Sequence, residues 1–193
     1  MCNLYTQTKA VEAVRQLFAK QQLPLQFAEG VPNLRPTDIR ITDPAPIVRA
    51  KGNEPGDYEM VVRRWSWPGP GGKPVFNFRS EGREFTSGRC LIITDGFYEF
   101  TASDDPKRKA MKRWLFTAPD DGLLVIAGIW RKHEEVGEAF TMLTTEPGPD
   151  IAPYHNRQVV VLPKADWRPW LDGGPAAELI GPAPAGSLCV CAA

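Results

Sequence analysis

Arg89-Cys90-Leu91-Ile92-Ile93-Thr94 is the stretch that decides the fold: six residues dominated by β-branched and apolar side chains, short and bounded by turn-formers. Four more runs share its character, Trp114 to Ala118, Leu123 to Trp130, Phe140 to Thr145 and Val159 to Leu162, and Tyr58 to Trp65 is a further strand candidate. Working outward, Ile39 to Ala50 reads as short extended pieces interrupted by Pro44 and Pro46. Ser187 to Cys191 reads as a last strand with Cys189 and Cys191 at alternating positions. Helical periodicity is scarce. From Thr8 to about Gln22, Val11, Val14, Leu17 and Phe18 form an amphipathic face, with Thr8 placed to cap and Glu12 near the positive end of the dipole. Asp166 to Leu171 makes a second, short helix. The expected fold is α+β: a single domain over 1–193 with a β-rich, barrel-like, mostly antiparallel core and a few peripheral helices.

Bulk composition agrees with short elements joined by many turns. The chain has 17 Gly and 19 Pro, above the usual combined share of about 12%. At 193 residues it is long enough to bury roughly 70% of its unfolded surface in one core. Basic and acidic residues number 23 each, so no global field draws the chain to nucleic acid or membrane, and any polyanion site must be local. Cys2, Cys90, Cys189 and Cys191 form no CxxC pair and only two His accompany them. That spacing fits neither a zinc ribbon nor a disulfide scaffold, so no metal or cofactor is expected and a reducing cytoplasm is the implied home. The longest apolar run, Leu123 to Trp130, is too short to cross a bilayer, and no apolar signal segment opens the chain.

The charged run Asp104-Asp105-Pro106-Lys107-Arg108-Lys109 reads as a hairpin-like loop, a solvated face rather than a binding patch. Trp67-Pro68-Gly69-Pro70-Gly71-Gly72 must be a loop. Trp65 and Trp67, on either side of Ser66, either offer flat stacking surfaces or close the core at a strand end.

The chemistry begins at Met1-Cys2. A small second side chain permits removal of the initiator methionine, which would leave Cys2 as a 1,2-aminothiol with an amine of reference pKa about 7.7–8.0 and a thiol of about 8.5. Such a pair condenses with an aldehyde to an imine that the adjacent sulfur closes into a thiazolidine. Three other stretches place polar residues where a strand pattern does not demand them: Asn77-Phe78-Arg79-Ser80-Glu81, Gly96-Phe97-Tyr98-Glu99-Phe100, and His155-Asn156-Arg157 ahead of Val159 to Leu162.

In order and spacing these segments, with Arg89-Cys90, Ala127-Gly128-Ile129-Trp130 and Leu143-Thr144-Thr145, resemble the SOS response-associated peptidase (SRAP) family. Three places depart from its pattern. Asn3-Leu4-Tyr5 replaces Gly-Arg-Phe/Tyr, Trp65-Ser66-Trp67-Pro68 replaces Trp-Gly-x-x-Pro, and Gln158-Val159 replaces Met-Pro after the His-x-Arg. The resemblance implies a sensor of abasic sites in single-stranded DNA that captures the ring-opened aldehyde on Cys2, with no membrane partner and no metal. It implies a cytoplasmic monomer that joins the nucleoid when it acts on DNA.

It also implies roles. Asn77 would hold the sugar or the adduct, against a plain reading as a turn cap. Glu99 would move protons during imine formation, against a solvent-facing strand carboxylate. His155 would protonate the sugar oxygen during ring opening, against a satisfied structural histidine. Arg79 would fork onto phosphate oxygens, against a salt bridge to Glu81. Arg83, Arg89 and Arg157 are further phosphate contacts, and Cys90 is core. Lyase activity by β-elimination is a companion outcome of the same imine. Two other classes stay open: an N-terminal-nucleophile cysteine amidohydrolase or peptidase, and a non-catalytic single-strand binder using Trp65, Trp67 and arginines.

Overall fold

The computed structural model describes residues 2–52, 56–103, 110–120 and 122–193. In chain order the strands are β1 (Leu4–Gln7), β2 (Leu25–Gln26), β3 (Thr37–Arg40), β4 (Pro44–Ala50), β5 (Tyr58–Trp65), β6 (Trp67–Pro68), β7 (Pro74–Val75) and β8 (Asn77–Arg79). They continue as β9 (Arg89–Thr94), β10 (Gly96–Thr101), β11 (Lys112–Thr117), β12 (Leu124–His133), β13 (Gly137–Thr145), β14 (Gln158–Val159) and β15 (Cys189–Ala192). The helices are α1 (Val11–Lys20), α2 (Trp167–Leu171) and α3 (Ala176–Leu179).

Five strands close on themselves. β5, β4, β9, β12 and β13 are antiparallel neighbours in that order, and β13 then meets β5 in parallel through Ala139 opposite Arg64 and Phe140 opposite Trp65. Closure removes the free edges a five-stranded sheet would otherwise present. A second sheet, ordered β15-β11-β10-β1-β3, is antiparallel throughout.

All six residues of β9 are buried, and the reason is that both of its faces are covered. Cys90 and Ile92 join Tyr5, Phe97 and Phe116 of the five-stranded sheet in one apolar cluster, whereas Leu91 and Ile93 pack with Phe18, Trp167 and Trp170 of the helices in a second. A strand sandwiched this way needs apolar side chains at consecutive positions, so it shows no in–out alternation. Pro44 and Pro46 are tolerated in β4 because β9 begins to pair with that strand only at Ile47.

Several sequence-based expectations need correction. The first helix starts at Val11, with Ala10 as its uncapped N-terminal flank. Thr8 does not cap it: its backbone amide hydrogen-bonds the Asp95 carboxylate, which anchors the chain to the turn before β10. β1, β8, β10 and α3 are further elements that the sequence reading did not assign, and β1, β8 and α3 are at most four residues long. The Trp67 to Gly72 loop holds a short 3-10 turn, Pro70–Gly72, between β6 and β7. The Asp104 to Lys109 run and Met1 lie outside the described residues. Among the described residues no helix is long and apolar enough to cross a membrane.

Candidate functional site

β1 is an inner strand of its sheet, and its register with β10, Tyr5 opposite Phe97, carries the chain just before it alongside Glu99. Cys2 is fully buried there, its Sγ 3.4 Å from the carbonyl oxygen of Leu4. Asn77 comes from the other sheet. β8 runs parallel to β13 with Asn77 opposite Met142, and the Asn77 Nδ2 donates to the Cys2 carbonyl at 2.7 Å. Glu99, 1% exposed, projects from β10, and the Cys2 backbone amide acts on its carboxyl group.

His155 ends a turn whose amides return to Ile151, at 2.8 Å from Tyr154 and 3.0 Å from His155. Its Nδ1 accepts the Arg157 backbone N–H at 2.9 Å and lies 3.0 Å from the Arg157 carbonyl oxygen. Nδ1 thus faces both a donor and an acceptor of Arg157 and can serve as either. The imidazole is within electrostatic reach of Glu99. Four residues named from separate stretches, Cys2, Asn77, Glu99 and His155, are thus joined into one site through the Cys2 backbone and the Glu99 carboxyl.

Burial sets the electrostatics. It pushes the Cys2 thiol well above its ordinary range, and the negative charge of Glu99 adds to the rise. Burial likewise raises the Glu99 carboxyl, against the opposing pull of nearby positive charge, His155 included, and of the Cys2 amide. The solution value of a free thiol, used to read the sequence, does not carry over: in this setting the sulfur is held as a thiol.

The arginines separate. Arg79 is exposed on β8 and shares a strand face with Asn77, two residues away. Arg83 is exposed with its guanidinium 4.9 Å from the Phe78 ring centroid. Arg89 is buried, and its donors go to the carbonyls of Phe85 at 2.6 Å, Trp170 at 3.2 Å and Gly174 at 2.6 Å. Arg157 is held by both Glu81 carboxylate oxygens and by the Thr144 carbonyl and hydroxyl at 2.9 and 3.0 Å. Neither tryptophan presents an open face. Trp65 is fully buried, with its indole N–H on the Phe76 carbonyl and Tyr5 edge-on at 5.1 Å. Trp67 is 3% exposed under the Arg131 guanidinium.

Thr144 was not named as a site residue from the sequence. Its carbonyl accepts Ser80 N–H and Oγ as well as Arg157, tying β8, β13 and the His155 turn together. The only signal was its place in Leu143-Thr144-Thr145, and a threonine in a strand does not declare a hub.

The fold is a closed barrel backed by a second sheet, with Cys2, Asn77 and Glu99 meeting between the two. The chain belongs to the SOS response associated peptidase (SRAP) family, whose model matches residues 1–190. Among characterised proteins it is similar to the abasic site processing protein YoaM of Bacillus subtilis (strain 168), with 30% identity over 104 residues. That match spans 52% of this chain and 42% of YoaM, less than half of the relative's length. Two solved structures share the fold: a protein from Bordetella bronchiseptica (TM-score 0.73, 24% identity, 100% of this chain and 99% of that one) and one from Bacteroides thetaiotaomicron (TM-score 0.72, 14% identity, 99% and 91%).

Proposed function

We propose that this protein processes abasic sites in single-stranded DNA by capturing the lesion's aldehyde on the N-terminal Cys2. The observation that carries the reading is the two-sided grip on that residue, Asn77 on its carbonyl oxygen at 2.7 Å and Glu99 against its nitrogen. Removal of Met1 turns that nitrogen into a primary amine already fixed in position.

The steps balance simply. The Cys2 amine adds to the aldehyde carbon, and the carbinolamine hydroxyl leaves as water to give an imine. The thiol then adds across the C=N bond, sulfur to carbon and its proton to nitrogen, closing a five-membered thiazolidine with net loss of one water. A sulfur held as a thiol needs a nearby acceptor for its proton, and a leaving hydroxyl needs a donor. A buried carboxyl whose proton affinity is raised suits both tasks in turn. His155, whose imidazole lies within electrostatic reach of Glu99, is the proposed donor to the sugar ring oxygen that hides the aldehyde. β-Elimination from the same imine would give strand scission, a lyase outcome that competes with ring closure. Arg79, exposed beside Asn77, is the proposed phosphate contact, with Arg83 as a second. Arg89 and Arg157, committed to carbonyls and to Glu81, are assigned structural roles, as are Trp65 and Trp67. In that role the protein would join the nucleoid when it acts on DNA.

Incubation with abasic and undamaged oligonucleotides, followed by a denaturing gel and intact-mass analysis, tests the reading. The expected result is a heat-stable adduct with the abasic strand alone, on protein lacking Met1, and none with Cys2→Ala. An adduct that forms while Met1 is retained overturns it.

A further inference from the structure

β15 is the outermost strand of the five-stranded sheet, and all four of its residues are exposed. Its sequence, Cys189-Val190-Cys191-Ala192, carries none of the charges or prolines that usually blunt an edge. Cys189 and Cys191 are free, exposed thiols, unlike the buried Cys2 and Cys90. They flank Val190, which is 38% exposed.

The register says which backbone groups face outward. β15 pairs with β11 so that Cys191 lies opposite Leu115 and Cys189 opposite Thr117, and the Ala193 N–H donates to the Arg113 carbonyl at 3.0 Å. In an antiparallel ladder the hydrogen-bonded positions alternate. Residues 189, 191 and 193 therefore turn their amides and carbonyls toward β11, and Val190 and Ala192 turn theirs to the open side. An added antiparallel strand must bond through Val190.

A second copy of β15, related by a two-fold axis at Val190, meets this demand: Val190 pairs with Val190, Cys189 with Cys191, and Cys191 with Cys189. The two cysteine pairs then fall at non-hydrogen-bonded positions, where facing Cα atoms lie about 4.5 Å apart, inside the roughly 4.4–6.8 Å range that a disulfide spans.

We propose that β15 is a redox-controlled self-association edge, in which two copies join by two symmetric Cys189–Cys191 disulfides. A low-molecular-weight disulfide such as glutathione disulfide is the oxidant. For each bond, two protein thiols give up their protons and two electrons, one oxidant disulfide is reduced to two thiols, and one protein S–S bond forms. Two oxidant molecules serve the pair of bonds, and a dithiol reverses them.

The test uses the full chain, reduced or treated with glutathione disulfide, on non-reducing gels and by light scattering after gel filtration. Oxidation should double the mass, and dithiol should restore the monomer. Register makes a sharper demand. Cys189→Ser and Cys191→Ser should each stay monomeric alone, because each leaves its one remaining edge thiol facing a serine. Mixed in equal amounts they should form a dimer held by one bond. Covalent self-dimers of either single variant, or a wild type that stays monomeric with only glutathione attached, would overturn the proposal.

Discussion

Glu99 is the residue whose environment departs furthest from the one its sequence neighbours suggest, and that departure has two measurable consequences. Burial raises its carboxyl above the value it has in the unfolded chain. The folded state then holds the proton more tightly, so Glu99 favours folding below the ordinary carboxylate range and costs stability as pH rises through its folded value. Glu99→Gln stays neutral and should melt higher than wild type at neutral pH, with the difference vanishing in acid. Parallel Tm curves across that range would contradict the assignment. The second consequence is kinetic. General acid-base help is typically worth about 10²–10⁴-fold, so Glu99→Gln and His155→Ala should both slow adduct formation by amounts in that range while leaving strand binding nearly intact. A small aldehyde that needs no ring opening separates the two: it should react almost normally with His155→Ala and slowly with Glu99→Gln. Equal losses with both electrophiles would make the two residues supports rather than proton carriers.

At the scale of elements, two positions show how local rules were bent. Ser66 joins β5 to β6 with φ 84°, in the left-handed region, and its buried hydroxyl has no partner among the described residues. Its amide donates to the Phe140 carbonyl at 2.7 Å, which holds the kink against β13 where the barrel closes. Serine here pays of order 1–3 kcal/mol for its backbone, and a glycine would lose only about 0.4–1 kcal/mol to its freer unfolded chain. Ser66→Gly should therefore raise Tm by roughly 2–4 °C per kcal/mol gained in a chain of this size, and a lowered Tm would show that the hydroxyl is satisfied in solution. Arg89 is the converse case. It links β9 to α2 and to the Phe85 turn through three carbonyls, and bonds to a charged donor are worth about 1.5–3 kcal/mol each. Arg89→Ala should cost roughly 3 kcal/mol or more of stability yet leave DNA affinity unchanged well below its Tm. These elements also mark what could be read in advance. β5 and β9 match their expected ranges, and in β9 the reason is that a strand covered on both faces must be apolar at consecutive positions. β1, β8 and β10 carry the site and were legible only as polar interruptions, since their partners lie in other parts of the chain. Cys2, Asn77, Glu99 and His155 were named from their stretches, but nothing local tells that Asn77 grips a carbonyl or that Arg157 is tied to Glu81.

For the molecule as a whole, a net charge of zero leaves the proposed DNA affinity to a local set of exposed cations. Burial removes Arg89 from that set, Glu81 and Thr144 occupy Arg157, and both tryptophans are closed off by the core and by Arg131. Of the arginines named as phosphate contacts, Arg79 beside Asn77 and Arg83 remain exposed. Each phosphate neutralised on a single strand contributes about 0.7 to the slope of log K against log salt, so binding of an undamaged strand should show a shallow slope, on the order of two contacts' worth. Arg79→Ala should reduce that slope by about 0.7 and weaken abasic and undamaged strands alike, because it holds the backbone and not the lesion. Trp67→Leu should leave the slope unchanged. Fluorescence anisotropy across a salt series, with Cys2→Ala as the background so that no adduct forms, measures all three. A steep wild-type slope, or one that Arg79→Ala does not alter, would move the DNA path to a different face of the protein.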